Sequence, residues 1–411
     1  MKTTFYGWRI VTACMLLATV SWSLGVFGMG VYVYALTNHQ GFSISTVSTA
    51  VTSAYVVSAL LMVSVGRLIA RRGPRVVVAA GVLAMALGVM AMPHCRQPWH
   101  LYAAFAMLGV GMAALSTNTI GSTLAPWFER HQGRAMSTAM LGASIGGMIG
   151  TPLLMGGMRI WSFQTTAALA AAVAILVVLP LAALVIKTRP QDIGQFPDGA
   201  AAPPDTHASQ AVPWRLGSAL ATRQFRSHVV AFGLGLMVQI GFLSHHVPIA
   251  IPVLGAGGAA VAVSAAAIAA FVGRLLLARY ADRIDVRKAG AGVLLLAAAA
   301  LVGMALFPSP WALMALSIVY GLTVGNVTTL APMIIRREFG AASFGAVFGL
   351  AATLNQLAMS LGPSLFGGLR DAFGSYGPGL LLCSVLNVAA AAVIVWGGRL
   401  PLTAQEPRYV E

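Results

Sequence analysis

Residues 164–186 read QTTAALAAAVAILVVLPLAALVI and are followed at once by Lys187-Thr188-Arg189-Pro190. The run carries no charge over about 23 positions, enough for a helix rising 1.5 Å per residue to cross roughly 30 Å of hydrocarbon. Its Ala/Leu/Val content shows no two-residue alternation, which excludes a barrel strand and leaves a membrane-spanning helix. The basic residues that close it mark a cytoplasmic end.

The same reading extends along the chain. Apolar runs occupy 9–36, 44–69, 75–93, 99–126, 134–157 and 164–186, then 225–252, 259–280, 289–307, 311–335, 343–367 and 377–397. We number them spans 1 to 12. Hydrophobic residues make up 58% of the 411 positions and charged residues 9%, too few charges to cover a water-soluble surface. The fold class expected is an all-α membrane protein of twelve transmembrane helices in two six-helix bundles. Met1–Trp8 is too short for a signal peptide, so span 1 reads as retained.

The net charge of +15 would suit a nucleic-acid binder, but its placement does not. With the N-terminus in the cytoplasm, only Arg96, Arg159 and Arg370 fall in outside loops and Arg274 inside a span. The other 21 of the 25 basic residues (25 less 4) are cytoplasmic. That asymmetry sets both termini in the cytoplasm and makes the charge topogenic and lipid-facing, with no nucleic-acid partner. Cys14, Cys95 and Cys383 lie far apart and imply neither a disulfide framework nor a metal site.

One long polar stretch divides the runs, RPQDIGQFPDGAAAPPDTHASQAVPW from Arg189 to Trp214. The expected organisation is an N-terminal bundle at 1–187, a cytoplasmic linker at 188–222 with a short surface helix after Pro213, and a C-terminal bundle with a short tail at 223–411. The halves echo each other. Gly66-Arg-Leu-Ile-Ala70-Arg71-Arg-Gly73-Pro-Arg75 after span 2 matches Ala278-Arg-Tyr-Ala-Asp282-Arg283-Ile-Asp285-Val-Arg287-Lys288 after span 8. Internal symmetry of this kind predicts a site at the interface of the halves near the bilayer midplane.

These repeated loops resemble the short basic signature of the major facilitator superfamily, and twelve spans with a central linker fit that fold over the whole chain. Four stretches resemble its monocarboxylate transporter and oxalate/formate antiporter branch. They are Tyr6-Gly-Trp-Arg-Ile-Val with Leu24-Gly-Val-Phe27; Trp127-Phe-Glu-Arg-His-Gln-Gly133 running into Gly142-Ala-Ser-Ile-Gly146; Arg189-Pro-Gln-Asp192-Ile-Gly194 to Gly199; and Gly367-Gly-Leu-Arg-Asp371-Ala-Phe-Gly374. The resemblance implies that Gly66, Arg71, Gly73, Arg75, Asp282 and Arg283 form conformational-switch loops. The superfamily usually keeps an Asp where this chain has Ala70, so the first loop has lost its acidic member.

Transport needs polar groups within the spans, and there are few. All ten acidic residues lie at span ends, in loops or at the C-terminus. Arg274 is the one basic residue well inside a span, ~12 Å by helical rise from the cytoplasmic end. A guanidinium stays protonated and can grip a carboxylate through two parallel hydrogen bonds; the bland alternative is snorkelling to the headgroups or pairing with a backbone carbonyl. By resemblance it falls at the branch's substrate-binding arginine in span 8. The mammalian relatives have an Asp where this chain has Ala270 and a Lys where it has Trp22, so their proton route is not carried over.

His245 and His246 precede Pro248 in span 7 and are the evident intramembrane proton carriers; the alternative is a helix break near the outer surface with both imidazoles solvated or hydrogen-bonded to protein. Asn118, Gln239, Asn326, Asn355 and Gln356 offer amides to a substrate or simply glue helices together. Tyr32, Tyr34, Tyr55 and Tyr320 are candidates for a cavity wall or for packing. Of these, Arg274, Asn118, His245, His246, Gln239, Asn326, Asn355, Gln356, Tyr32 and Tyr320 form the expected substrate-binding set.

No strand precedes the Gly-x-Gly patterns, no Walker motif exists, and Ser, His and Asp are not arranged for catalysis, so no enzyme, cofactor, catalytic residue or metal is expected. The reading is a monomeric secondary transporter of the bacterial inner membrane. It moves a small organic anion, a monocarboxylate with protons as a candidate co-substrate, by alternating access. A carrier of a neutral or larger solute, in drug efflux or chelate uptake, and a non-transporting membrane sensor are the rivals.

Overall fold

The computed structural model describes residues 5–199, 216–280 and 283–398. Asp282 of the second switch loop lies outside them. Every described element is helical.

Eleven described helices are long and apolar enough to cross a membrane. One of them, Arg223–Leu277, runs for 55 residues and turns at Gly255, whose φ of +69° suits a residue without a side chain. It therefore supplies spans 7 and 8, and eleven plus one gives the expected twelve. The other spans are Gly7–Gln40, Ile44–Arg72, Pro74–His94, Pro98–Leu124, Gln132–Ile160 and Phe163–Val185, then Val286–Leu306, Pro310–Gly340, Ser343–Phe373 and Gly377–Trp396. Pro248 does not break span 7: helix continues through it and turns seven residues later at Gly255. By backbone contacts the described residues form two units. The first holds 5–199, 243–251 and 255–264; the second holds 216–242, 252–254, 265–280 and 283–398.

In the first unit, spans 1 and 5 touch through Gly142, Gly146 and Gly150. A Cβ at Gly142 would lie 1.9 Å from the Met15 carbonyl oxygen, so this helix contact requires glycine. Opposite it, span 1 loosens into a π-helical turn, Ser23–Phe27. Ser23 Oγ donates to the Gly146 carbonyl at 3.0 Å, and Thr151 Oγ1 donates to that of Phe27 at 3.2 Å.

Span 6 also ends in a π-turn, Leu181–Val185, beyond which helix-end carbonyls need outside donors. They find three: Tyr6 Oη on Val185 (3.0 Å), Arg75 Nε on Ile186, and Trp127 Nε1 on Lys187 (3.3 Å). Three of the sequence stretches singled out above thus converge on one helix end.

The linker does not leave that surface at once. Two short 3-10 turns, Pro190–Ile193 and Pro197–Gly199, follow with Pro190 and Pro197 buried. Gln195 Oε1 accepts from the Tyr6 N–H at 3.0 Å. Asp198 takes a left-handed φ of 57°, uncommon for a residue with a side chain. That places its carboxylate under the loop between spans 4 and 5. Oδ2 accepts from the N–H groups of Glu129 (3.0 Å) and Arg130 (2.7 Å), and Oδ1 from that of His131 (3.4 Å). Partial burial raises the Asp198 carboxyl, but these donors outweigh it and hold the group below the ordinary carboxylate value.

In the second unit, spans 7 and 11 meet where a Cβ on Gly362 would lie 2.1 Å from the Met237 carbonyl oxygen. Span 9 packs on spans 10 and 12 around Phe232, Leu294, Leu330, Ile334 and Ile394, each no more than 1% exposed. After Pro213 the described residues resume with a short helix, Leu216–Ala221.

Candidate functional site

Arg274 sits half-buried on span 8 in the second unit. Span 10 comes close enough to hold it because position 325 is glycine: a Cβ there would lie 2.5 Å from the Ala270 carbonyl oxygen and 2.7 Å from both Cγ and Nε of Arg274. Arg274 Nε donates to the Gly325 carbonyl at 3.4 Å. The same oxygen accepts from the hydroxyls of Thr328 (2.9 Å) and Thr329 (2.8 Å). The Nε edge of the guanidinium is thereby steered against span 10.

Asn326 shares this helix contact. Its Nδ2 donates to the Leu322 carbonyl at 3.0 Å and would lie 3.2 Å from a Cβ on Gly273, while its buried Oδ1 has no hydrogen-bond partner. Asn355 lies apart, buried on span 11 with Oδ1 3.6 Å from where a Cβ of Gly233 would be. Gln239 is buried and Gln356 half-buried. Tyr320 packs on Phe242 with ring centroids 4.3 Å apart. Tyr320 and, in the first unit, Tyr32 are both buried.

His245 and His246 belong to the first unit, and neither ring is solvated: both are 0% exposed. Ser48 Oγ donates to the Ile44 carbonyl at 2.6 Å and lies 3.1 Å from His245 Nε2. A hydroxyl has one proton, already given to Ile44, so His245 must donate, which fixes its tautomer as Nε2–H.

Span 4 is broken. Its first helix, Pro98–Ala114, ends at Leu115, and a second, Thr117–Leu124, begins after Ser116. Asn118 is the second residue of the new helix and is exposed. Span 10 carries the repeat of this segment, Thr328-Thr-Leu-Ala-Pro332 against Ser122-Thr-Leu-Ala-Pro126, yet Pro310–Gly340 has no such break. The register is exact to the hydrogen bond: Thr123 Oγ1 donates to the Thr119 carbonyl (2.7 Å) as Thr329 Oγ1 does to that of Gly325 (2.8 Å). Thr119 is therefore the repeat partner of Gly325.

Of the switch-loop residues, Gly66, Arg71 and Arg283 are exposed and Gly73 turns with φ of +78°. Arg75 and Arg287 match across the repeat in contact as well as in sequence. Each donates to a carbonyl near the end of its own unit's last span, Ile186 and Ile394 respectively. Arg287, counted among the topogenic charges in the sequence, is 3% exposed. Its five N–H donors reach Glu338 Oε1 and Oε2 (2.6 and 2.8 Å), Ser227 Oγ (3.0 Å), and the carbonyls of Ile394 (2.9 Å) and Gln224 (3.0 Å). One guanidinium thus ties together one end of each of spans 7, 9, 10 and 12.

Twelve apolar helices with a repeated arrangement and polar groups set inside the spans define a polytopic membrane transporter. The chain belongs to the Major Facilitator Superfamily, whose family model matches residues 11–363. It is 26% identical over 332 residues to monocarboxylate transporter 13 of Rattus norvegicus, covering 79% of this chain and 73% of that one. It is 28% identical over 398 residues to monocarboxylate transporter 11 of Mus musculus, covering 92% and 84%. Among solved structures it is similar in fold to a bacterial homolog of the human lysosomal transporter Spinster (TM-score 0.72, 16% identity, 96% of each chain). It is likewise similar to a nucleoside transporter (TM-score 0.72, 13% identity, 95% of this chain and 100% of that one).

Proposed function

We propose that this protein is a secondary transporter that moves a small organic monocarboxylate by alternating access, with Arg274 as the anion anchor. The observation that carries the reading is the placement of Arg274 inside span 8, half-buried and steered at Nε by the Gly325 carbonyl. A permanent cation inside a span costs about 2.5–3.5 kcal/mol on insertion scales, an expense that an anionic ligand would offset. The relatives named as monocarboxylate transporters point to the same chemistry. Asn326, one residue from Gly325, is the amide best placed to assist. His245 and His246 are the proposed proton carriers where transport is proton-coupled. The basic-residue bias supports cytoplasmic termini in a bacterial inner membrane, with the monomer as the working unit.

The test is ligand-induced thermal stabilisation of purified protein across mono-, di- and tricarboxylates, since a ligand of the folded state raises its apparent stability. A charge-assisted contact contributes about 1.5–3 kcal/mol, so Arg274→Ala should weaken monocarboxylate binding by roughly 10- to 150-fold. Arg274→Lys keeps the charge, loses the planar fork and should fall between. Wild-type affinity in correctly inserted Arg274→Ala would move the assignment to a carrier of neutral solutes.

A further inference from the structure

The break in span 4 lies eight residues from the cytoplasmic end of that span at Leu124, about 12 Å deep by helical rise. Neither glycine nor proline occurs from Met112 to Ala125 except Gly121, well inside the second helix. The interruption is instead built by Ser116, which is extended (φ −73°, ψ 168°) and accepts the Thr119 N–H on its side-chain oxygen at 3.4 Å. The Ser116 carbonyl takes the Ile120 N–H at 3.1 Å. As the first two residues of a new helix, Thr117 and Asn118 have no intrahelical acceptor for their N–H groups, and both residues are exposed. Lipid offers such donors nothing. Irregular backbone at this depth is tolerated where it is buried in protein or lines a water-filled cavity.

A second feature points to an occupant. Thr119 is 1% exposed and its hydroxyl has no hydrogen-bond partner. One turn later on the same face, Thr123 satisfies its own hydroxyl on the carbonyl four residues back. Thr119 has lost that option because Leu115 (φ −104°, ψ 21°) is turned out of the helix. The Cα–Cβ bond of a helical residue leans toward the N-terminus, so the hydroxyl is directed at the open first turn. Repeat symmetry adds weight: Thr119 corresponds to Gly325, the position in the second unit against which Arg274 is held.

We propose that the restart of span 4 is a carboxylate subsite of the first unit. In it the N–H groups of Thr117 and Asn118 receive the anion and the Thr119 hydroxyl completes the donor set. The proposal rests on the carboxylate reading given above and extends it to a group with no side-chain charge. The arrangement is the familiar anion preference of a helix N-terminus, here set inside the membrane.

The test removes one N–H and little else. Thr117→Pro deletes the backbone donor at the first helical position, where proline is tolerated. Ser116 before it already has the extended conformation that proline imposes on its neighbour. Thr117→Ala keeps the N–H and serves as the control. With lactate and benzoate as probes in the thermal-stabilisation assay, Thr117→Pro should bind about ten-fold or more weakly than Thr117→Ala. Thr119→Val, which preserves shape without the hydroxyl, should also weaken binding and carries the test should Thr117→Pro fail to insert. Equal affinities of Thr117→Pro, Thr117→Ala and Thr119→Val, with binding still dependent on Arg274, overturn this subsite alone. Dependence on Thr117→Pro without dependence on Arg274 supports the subsite and removes Arg274 as anchor. A wild type that binds neither probe overturns both.

Discussion

Arg287 and Glu338 form a two-pronged ion pair within the second unit, at 2.6 Å from Nε to Oε1 and 2.8 Å from Nη2 to Oε2. Both side chains are nearly inaccessible, 4% and 8% exposed. Two charges removed from water gain little net stability from each other unless the remaining donors are satisfied. Here they are, because Ser227, Gln224 and Ile394 take the rest of the guanidinium. The pair joins the start of span 9 to the far end of span 10, two residues 51 apart in sequence.

Removing one partner strands the other charge. Glu338→Gln and Arg287→Met should each destabilise the protein by about 3–5 kcal/mol, read as earlier thermal unfolding in detergent. The double variant should lose less than the sum, because residues in contact are not additive. Additive losses would show that the two side chains act independently.

Asp198 performs a similar task in the first unit with one carboxylate. Its folded pKa is held below the ordinary value, so its contribution is present above the unfolded value of about 3.9 and is lost as pH falls through the lower folded value. Amide hydrogen exchange at Glu129, Arg130 and His131 should therefore stay protected from neutral pH to about pH 4 and lose protection below it. Asp198→Ala should remove that protection at neutral pH and cost about 0.5–2 kcal/mol, the range for losing a side-chain cap. Undiminished protection in the alanine variant would refute the clamp.

The twelve spans could be read directly because apolar run length is a property of composition, and Arg274 stood out as the one charge well inside such a run, away from its ends. The break at Leu115-Ser116 could not. Neither glycine nor proline lies between Gly111 and Gly121 to mark it, and its sole local signal is a Ser three residues before a Thr. Arg287 and Lys288 are adjacent and equally basic in sequence, yet one is buried and the other exposed. Only the approach of spans 7, 10 and 12 decides which. The same limit applies to Pro248 and Gly255: proline is the stronger breaker on paper, but the left-handed turn needs glycine.

If His245 or His246 carries the coupled proton, replacing both with Gln should flatten the pH dependence of uptake. Gln supplies an amide N–H in place of the Nε2–H that His245 gives to Ser48, so the packing is preserved while titration is removed. Uptake rates across pH 5.5–8, roughly the range in which His titrates, are the measurement. An unchanged profile in the double variant assigns the proton to the substrate or elsewhere.

Gly325 should matter to binding although its side chain is a hydrogen atom. An added Cβ would sit 2.7 Å from Cγ and Nε of Arg274 and 2.5 Å from the Ala270 carbonyl oxygen, closer than such atoms settle. The backbone of span 8 yields less readily than the long arginine side chain, so most of the adjustment falls on Arg274. Overpacking of this kind costs about 1–3 kcal/mol in stability, a loss any tight helix contact would show. Binding separates the two effects. In the wild-type background Gly325→Ala should weaken monocarboxylate affinity as Arg274→Lys does, because the fork is moved off its line. In the Arg274→Ala background the same substitution should weaken it no further, since the group it displaces is gone. Equal weakening in both backgrounds would mean that Gly325 acts through the spacing of spans 8 and 10, and not through the arginine.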